Sequence, residues 1–378
     1  MNEPSPLSIQ THFSQVEDPR VERTRAYELL ELIVIAVCAV ICGADDWVEI
    51  AEWGKEKLVW LRPFMPFENG IPSHDTVGRV FSRIDGEQFQ AAFLSWVQAA
   101  FEVSDGQVVA IDGKQVRRSH DQRRGKAAIY RVSAWSSTQH LTLGQRTVDD
   151  KSNEITAIPE LLKVLALNGC LVTIDAMGCQ KEIARAIGDQ QAEYVLALKE
   201  NQGTLYPDTV DLFAHVAQTP SHRLMTDYVK TTDMAHGRGE VRECWPITDP
   251  NGFPYFRTSQ SWTKLQTLVK IRRERHLPDK TTVETHYYIS SLPGAAAPIL
   301  KAVRAHWDIE NGLHWVLDIA FREDDPRARA GHRPQNFPVL RHIALNLLKH
   351  ETSVKVGIKA KRKRAGWSQA YLLKVLSI

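Results

Sequence analysis

The sequence predicts an α/β protein with a mixed sheet flanked by helices, an inserted antiparallel β region and an N-terminal all-α domain. Three observations predict this class. Residues 1–105 show apolar patterns with helical spacing, residues 106–199 alternate between short strands and helices, and residues 200–290 are mostly extended segments. We therefore expect a helical domain at 1–105, a sheet domain at 106–350 with an insertion at about 200–290, and a basic C-terminal tail at 351–378.

The N-terminal region is predicted to be helical. "YELLELIVIAVCAVICGA" (27–44) is a long apolar helix, and "DDWVEIAEWGKEKLVWLRPFM" (45–65) repeats apolar residues at helical spacing. "NGIPSHDTVGRVFSRID" (69–85) places a turn before a short helix, which resembles a helix-turn-helix with Arg79 and Arg83 as candidate DNA contacts. An ordinary packed helical hairpin is the alternative interpretation.

The central region is predicted to contain three strands, a helix, a strand, a helix and a strand. The strands are "GQVVAIDGKQVRR", "AIYRVSAWSST", "LTLGQRTVD", "CLVTIDAMG" and "EYVLALK", and the helices are "EITAIPELLKVLAL" and "QKEIARAIGDQQ". This order predicts an antiparallel edge and a parallel centre, which is the arrangement of the ribonuclease-H-like fold. A long helix is predicted to follow the insertion from about residue 297.

Two aspartates occur where a buried strand would otherwise carry an apolar residue. Asp112 ends the apolar run of "VVAIDGKQ", and Asp175 ends that of "LVTIDAMGCQ". A buried carboxylate without a partner is costly, whereas carboxylates at neighbouring strand ends suit hard divalent cations. Each aspartate alone could also be a turn residue, because Gly113 and Ala176 follow them.

A third acid would complete such a metal site, and Glu310 in "HWDIENGLHW" is the candidate. It falls on a largely apolar face of the predicted helix, where an acid is out of place unless it points at a cation. Two metal ions about 4 Å apart can promote an in-line phosphoryl displacement. The alternatives are a salt bridge at Glu310 or a zinc site with His306 and His314, although no HExxH motif is present. Glu323 is the replacement if Glu310 lies elsewhere.

The distribution of charge is more informative than its total. The 378 residues have a formal net charge of only +2, yet residues 301–378 hold 15 Lys/Arg against 7 Asp/Glu. The densest run, "KVGIKAKRKRAGW" (355–367), is predicted to be a solvated tail or a loose contact to a polyanion. Its candidate DNA contacts are Lys361, Arg362, Lys363 and Arg364.

Cysteine usage and hydropathy predict the compartment. The five cysteines form no CxxC pair, which favours a reducing environment and no structural zinc. The apolar segment 31–44 is too short to span a bilayer, and no signal peptide precedes it. We expect a cytoplasmic protein without a membrane partner. No GxxxxGK[ST] loop is present, so no nucleotide is expected.

Several long stretches together resemble a known family. "VVAIDGKQVRRS", "LVTIDAMGCQKEIA", "EYVLALKENQGTL" and "HWDIENGLHWVLDIAFREDD" resemble the DDE transposases of bacterial insertion sequences, and most closely the H-repeat-associated group. The opening "HFSQVEDPRVERTRAYELLELIVIAVCAVICGADDWVEIAEWG" resembles the N-terminal region that accompanies this catalytic domain. The resemblance extends over about residues 12–350.

The resemblance implies an RNase-H-like fold and a transposase that cuts DNA at the ends of an insertion sequence. The freed 3′-hydroxyl would then attack target DNA. By matching motif positions, Asp112, Asp175 and Glu310 would be the catalytic acids and would bind two Mg²⁺ ions, for which Mn²⁺ can substitute. The implied partners are double-stranded DNA, as terminal inverted repeats and as target, and a second copy in a homodimer. Binding to DNA would associate the protein with the nucleoid.

The sequence departs from the wider family around its last acid. Where that superfamily often carries a Tyr-Arg-Glu-Lys signature, this chain has Val303, His306, Glu310 and Leu317. A hairpin DNA intermediate is therefore an open question. His306, Arg304 and Lys199 are candidate substitutes for the missing DNA contacts.

Other functions remain open at this stage. One is a nuclease of the same fold that cuts without joining, and another is a domesticated DNA-binding protein without chemistry. A haloacid-type phosphatase is disfavoured, because it requires a second aspartate where Lys114 stands. Lys114 is instead a further candidate DNA contact.

Overall fold

The computed structural model describes residues 9–101, 105–116, 129–148, 153–219, 224–235, 238–325 and 331–377. Its α-helices are α1 (Ile9–Phe13), α2 (Leu29–Ile41), α3 (Trp47–Leu61), α4 (His74–Phe81), α5 (Gly86–Ala100), α6 (Glu154–Val164), α7 (Lys181–Asp189), α8 (Leu205–Gln218), α9 (Ala296–His306), α10 (Trp315–Phe321), α11 (Arg333–His350), α12 (Ile358–Trp367) and α13 (Gln369–Leu376). A π-helical turn (Glu310–His314) precedes α10.

The strands form one mixed sheet. They are β1 (Val108–Gln115), β2 (Tyr130–Ser136), β3 (Leu141–Val148), β4 (Leu171–Ile174), β5 (Glu193–Leu198), β6 (Met225–Thr226), β7 (Val229–Ala235), β8 (Arg238–Thr248), β9 (Thr267–His276) and β10 (Thr281–Ser290). Their order is β3-β2-β1-β4-β5-β10-β9-β8-β6, with β7 paired to β8. The pairs β1–β4 and β4–β5 are parallel, and the β1–β2–β3 edge is antiparallel. The predicted RNase-H-like mixed α/β fold is confirmed.

The parallel centre is buried on both faces, which explains its continuous apolar runs. Because side chains alternate along a strand, Val108, Leu171 and Val195 face one side of the sheet and pack against α9. Their sequence neighbours on the opposite face join the larger core with α2, α5, α6, α7 and α11. Asp112 lies four residues after Val108, and Asp175 lies four residues after Leu171. Because side chains along a strand return to the same face every two residues, both aspartates point to the side of the sheet that packs against α9.

The insertion is antiparallel, as predicted, but it begins with a helix. We expected mainly extended segments at 200–290, whereas Leu205–Gln218 forms α8. Its buried residues Leu205, Thr209 and Phe213 recur every four positions, which is a helical spacing. The strands of the insertion also extend the central sheet, because β10 pairs with β5 in the register Tyr288 to Ala197.

The N-terminal helices share a core with the sheet. Nearly all of α2 is buried, and one continuous cluster includes Leu32 of α2, Phe93 of α5 and Val109 of β1. The single acid buried in α2, Glu31, accepts a hydrogen bond from the backbone N–H of Phe67 at 2.6 Å. Residues 9–101 therefore contribute to the interior of the same unit that carries the aspartates.

The predicted helix-turn-helix has an unusual connection. Residues 62–73 separate α3 from α4, which is longer than the three- to four-residue turn of that motif. Gly78 of α4 lies against Trp47 of α3 and Arg333 of α11. Arg79 and Arg83 are both exposed on the outer side, so contact between these arginines and DNA stays a prediction.

The predicted solvated tail is wrong, because 358–376 forms the helices α12 and α13. Ala365, Tyr371, Leu372 and Val375 enter the main core. The apolar 31–44 segment contributes α2 to that core, and no described helix is long and apolar enough to cross a membrane.

Candidate active site

Asp112 lies on β1 and Asp175 directly follows β4, so the two aspartates lie side by side on neighbouring central strands of the sheet. β1 and β4 are parallel neighbours in which Ile111 pairs with Ile174, so the next residue of each strand is an aspartate. Adjacent strands are about 4.8 Å apart. The structure thus brings together two carboxylates that are 63 positions apart in sequence.

The two aspartates are held differently. Asp175 is exposed, and its Oδ1 accepts hydrogen bonds from the backbone N–H groups of Met177 at 3.0 Å and Gly178 at 3.2 Å. Asp112 is half-buried, and its Oδ2 lies 3.3 Å from Nε2 of His314. This distance permits an ion pair between the two side chains, but their relative orientation does not meet the geometry of a hydrogen bond. Asp175 is therefore a turn residue, which was one interpretation of the sequence. Its carboxylate nevertheless lines a cavity.

Glu310 lines the same cavity as the two aspartates, although it lies on the π-helical turn and not on a strand. A cavity of about 550 Å³ is lined by Asp112, Asp175 and Glu310 together. Glu310 opens the π-helical turn, in which His314 also lies. π-Helical turns are rare and occur often at functional sites. The four-residue spacing directs Glu310 and His314 to the same side, toward the strand ends.

His306 lies among all three acids. Its Nδ1 is 3.1 Å from Oγ1 of Thr173, on the strand that carries Asp175. Burial lowers the pKa of His306 below its ordinary value, although the charges of Asp112, Asp175 and Glu310 act in the opposite direction. His306 is therefore neutral near pH 7, so it does not supply the positive charge expected of a phosphate contact.

Basic side chains line the same cavity as the acids, together with Glu240. Strands β8 and β9 of the insertion contribute Arg242, Arg273 and Arg275, and Lys199 and Arg304 also line the cavity. Most of this charge is paired with acids. Arg242 pairs with Glu240 and with Asp233, both at 2.6 Å, and Arg304 pairs with Asp233 at 2.8 Å. Arg273 pairs with Glu284, and Arg275 lies 3.5 Å from Glu240. Acids and cations thus line one cavity, a combination that suits a phosphodiester with bound cations.

Three of the predicted DNA contacts are engaged inside the protein instead. Lys114 forms ion pairs with Asp318 and with Glu323. Lys361 is buried and donates hydrogen bonds to the backbone carbonyls of Leu348, at 2.8 Å, and Glu351. Arg362 is buried as well.

The side chain of Arg362 donates to the carbonyls of Val40, Ala44 and Ala320 and pairs with Asp45 at 2.9 Å. The prediction of a phosphate contact is therefore wrong for Lys361 and Arg362, because protein carbonyls already occupy their donors. Lys363 and Arg364 are exposed.

Glu323, the reserve candidate for the third acid, has a structural role. Its side chain is buried and contacts Arg131 Nη1 at 2.6 Å. Burial alone would raise the pKa of Glu323, but the charges of Arg131, Lys114 and Arg341 hold it far below its usual range. Glu323 therefore remains a permanent anion beneath the site.

Glu154 is a site residue that the sequence analysis missed. It is the first residue of α6, and its carboxylate packs so closely on Gly113 that a Cβ at position 113 would collide with it. Burial, together with the charges of Asp175 and Asp112, raises the pKa of Glu154. Its position in the sequence could have indicated this role. Glu154 follows the third predicted strand, and at that point the chain lies near the ends of the strands that carry the aspartates.

The donor set fits Mg²⁺ by chemistry, since Asp112, Asp175 and Glu310 offer the oxygen ligands that hard cations prefer. Within the described ranges, no three His, Cys, Asp or Glu side chains are already grouped to hold a metal ion. Joint binding by the three acids therefore requires their carboxylates to move closer together. No zinc site formed by His306, His314 and Glu310 is present among those residues either.

Comparison with known proteins agrees with the fold. The profile of the transposase DDE domain matches residues 103–347, and that of the DDE_Tnp_1-associated domain matches residues 10–97. The chain therefore belongs to the DDE transposase family.

Individual relatives cover almost the whole chain. "Putative transposase YncI" of Escherichia coli O157:H7 is 40% identical over 375 residues, which is 98% of this chain and 95% of the relative. "H repeat-associated putative transposase YhhI" of Escherichia coli K12 is 37% identical over 98% of this chain and 97% of the relative. A shorter relative, "Inactive transposase YbfQ" of Escherichia coli K12, is 37% identical over 20% of this chain and 89% of its own.

Proposed function

We propose that this transposase cuts DNA at the ends of an insertion sequence and joins the freed 3′-hydroxyl to target DNA. One observation carries the proposal: Asp112, Asp175 and Glu310 line a single cavity together with the basic side chains of Arg242, Arg273, Arg275, Lys199 and Arg304. That cavity can place a negatively charged phosphodiester between cations of the protein and cations held by the acids. The same site serves both steps, since each is an attack of an oxygen nucleophile on phosphorus.

In this proposal Asp112, Asp175 and Glu310 hold Mg²⁺, or Mn²⁺ in its place. When bound, the ions would activate the attacking oxygen and stabilise the leaving oxygen of an in-line displacement. The arginines of β8 and β9 orient the DNA backbone, and Lys199 supplies a further cation. His306, hydrogen-bonded to Thr173, keeps the cavity floor neutral between the acids.

The first experiment is a cleavage assay on end-labelled DNA that carries the flanking repeats, with purified protein and Mg²⁺ or Mn²⁺. Asp112→Asn, Asp175→Asn and Glu310→Gln should each lower cleavage by at least about a hundredfold, because each removes a negative charge from a site built for dications. Glu182→Gln is the matched control, since Glu182 is exposed on α7. Normal cleavage by any one of the three variants would remove that residue from the site.

A second candidate function is a nuclease that cuts without joining. The same assay distinguishes the two when unlabelled target DNA is added, because only strand transfer yields a longer labelled product. Cut DNA without joined product would establish the nuclease. Binding without any cutting would favour a DNA-binding protein that has lost its chemistry.

The homodimer is a proposal of the same kind. Joining two element ends calls for two copies of the site, and sedimentation of the protein with repeat DNA measures how many copies assemble. One copy per DNA molecule at saturating protein would contradict it.

A further inference from the structure

The exposed side of α12 carries a basic surface formed by residues of the segment 355–367. We define the α12 face as Lys359, Lys363 and Trp367 of the helix together with Lys355, which precedes the helix, and all four are exposed. From this face we infer a second DNA-binding surface, separate from the active-site cavity, that grips the phosphate backbone of double-stranded DNA without reading its sequence.

The charge of this segment is one-sided. Residues 352–377 contain seven Lys or Arg and no Asp or Glu, although the whole chain has a net charge of only +2. Two of the seven, Lys361 and Arg362, are buried and satisfied by the protein. The remaining cations, Lys355, Lys359, Lys363, Arg364 and Lys374, are exposed. No acid within the segment offsets them.

The helix arranges these groups along one side. Lys359, Lys363 and Trp367 follow at intervals of four residues, and such positions lie on the same face of an α-helix. Lys361 and Arg362 anchor the opposite side of α12 to α11, α2 and α10. The lysines are therefore presented from a fixed helix rather than from a solvated tail.

Trp367 is the second observation, and it is independent of charge. Its side chain is 80% exposed, which is unusual for the largest apolar residue and typical of a contact surface. A tryptophan one helical turn after a lysine can pack on a deoxyribose and donate its indole N–H to a phosphate. Two copies of this face would repel each other through their lysines, so a polyanion suits it better than a second copy.

The choice of DNA as the polyanion rests on the proposed function, but the test does not require catalysis. We would measure the affinity for random double-stranded DNA by fluorescence anisotropy at several NaCl concentrations, without divalent ions. The double variant Lys359→Ala/Lys363→Ala should reduce the slope of log affinity against log salt by about 2, because each lost phosphate contact releases about 0.9 fewer counterions. The affinity of this variant for DNA that carries the flanking repeats should fall by the same factor as its affinity for random DNA.

A matched control removes equal charge elsewhere. Lys55→Ala/Lys163→Ala alters two exposed lysines on α3 and α6 and should leave the slope unchanged. Trp367→Ala should weaken binding severalfold at a constant slope. An unchanged slope in the Lys359/Lys363 variant, or an equal change in the control, would overturn the inference. A shift in the sedimentation-measured mass of DNA-free Trp367→Ala would assign the face to contact between copies and also overturn it.

Discussion

At the scale of single residues, Glu154 depends on the small size of its neighbour Gly113. Its carboxylate rests on Gly113, and the charges of Asp175 and Asp112 add to burial in raising its pKa. Glu154 thus adds negative potential next to the two aspartates that would bind metal. A glycine after Asp112 is what leaves room for it.

Glu154→Gln should therefore weaken the attraction for divalent ions. We expect the Mg²⁺ concentration for half-maximal cleavage to rise severalfold, while the maximal rate stays within about threefold of wild type. Glu160→Gln is the control, because Glu160 is exposed on the same helix and pairs with Arg146. An unchanged Mg²⁺ requirement in Glu154→Gln would show that its charge does not act on the site.

His342 shows how burial in a charged neighbourhood affects a single group. It is fully buried on α11, and neither ring nitrogen has a hydrogen-bond partner within the described part of the chain. Burial lowers the pKa of His342 to about 3, despite the nearby charge of Glu323. The folded protein therefore resists protonation of this ring, whereas the unfolded chain accepts a proton near pH 6.5.

This difference predicts a pH dependence of stability. The unfolded state binds more protons below about pH 6.5, so the free energy of unfolding should fall as the pH decreases from 7 to 5. His342→Leu should flatten that decrease and be neutral or stabilising at pH 7, because it removes two unpaired polar atoms from the interior. Melting temperatures between pH 5 and 8 measure this, with exposed His215→Gln as control. An unaltered slope in His342→Leu would contradict the assignment.

At the scale of elements, the π-helical turn connects Glu310 with Asp112 on β1 through His314. Glu310 and His314 both belong to this turn, and His314 lies 3.3 Å from Asp112. Gly312 between them lies against the ring of Trp135 on β2, where a Cβ would clash. The turn is thus fitted closely to the sheet, and His314 connects the helix that carries Glu310 with the end of β1.

His314→Ala should uncouple these elements without unfolding the protein. We expect cleavage to fall by about 10- to 100-fold, as for other residues that orient metal ligands, with a raised Mg²⁺ requirement and unchanged DNA affinity. His350→Gln, exposed on α11, should leave all three quantities unchanged. A variant that retains full cleavage at low Mg²⁺ would show that His314 does not position Asp112.

At the scale of the whole molecule, Arg362 ties the two ends of the chain together. It joins α12 to the end of α2 through Val40 and Ala44, and to α10 through Ala320. Its guanidinium also packs over the ring of Phe321 at 4.3 Å. The N-terminal helices, the C-terminal helices and the helix after Glu310 are thus joined at one buried cation.

Arg362→Met should lower the free energy of unfolding by about 3 kcal/mol, because it leaves buried carbonyls and Asp45 without their donor. Urea unfolding provides the measurement. Lys374→Ala, an exposed change on α13, should alter it by less than about 0.5 kcal/mol. Equal stability of the two variants would show that Arg362 is not a structural tie.

The sequence alone determined the order of strands and helices from β1 to β5 and the two aspartates that follow the apolar runs of β1 and β4. These features are local: an apolar run followed by an acid is visible within eight residues, and strand period fixes the face on which that acid lies. Glu310 was predicted because an acid interrupts an apolar helical face, and it lines the same cavity as the aspartates. Helix α8 was missed although its four-residue spacing was present, because its apolar positions are separated by polar ones.

Only the tertiary structure decided which charged residues are interior. Lys361 and Lys363 are neighbours in one basic run, yet one is buried and the other exposed. Arg362 is buried because carbonyls at Val40 and Ala320, distant in sequence, converge on it. Glu154 likewise meets Asp112 and Asp175 only after the sheet forms. The cost of burying a charge depends on the partners that long-range packing supplies, and a short stretch of sequence does not contain them.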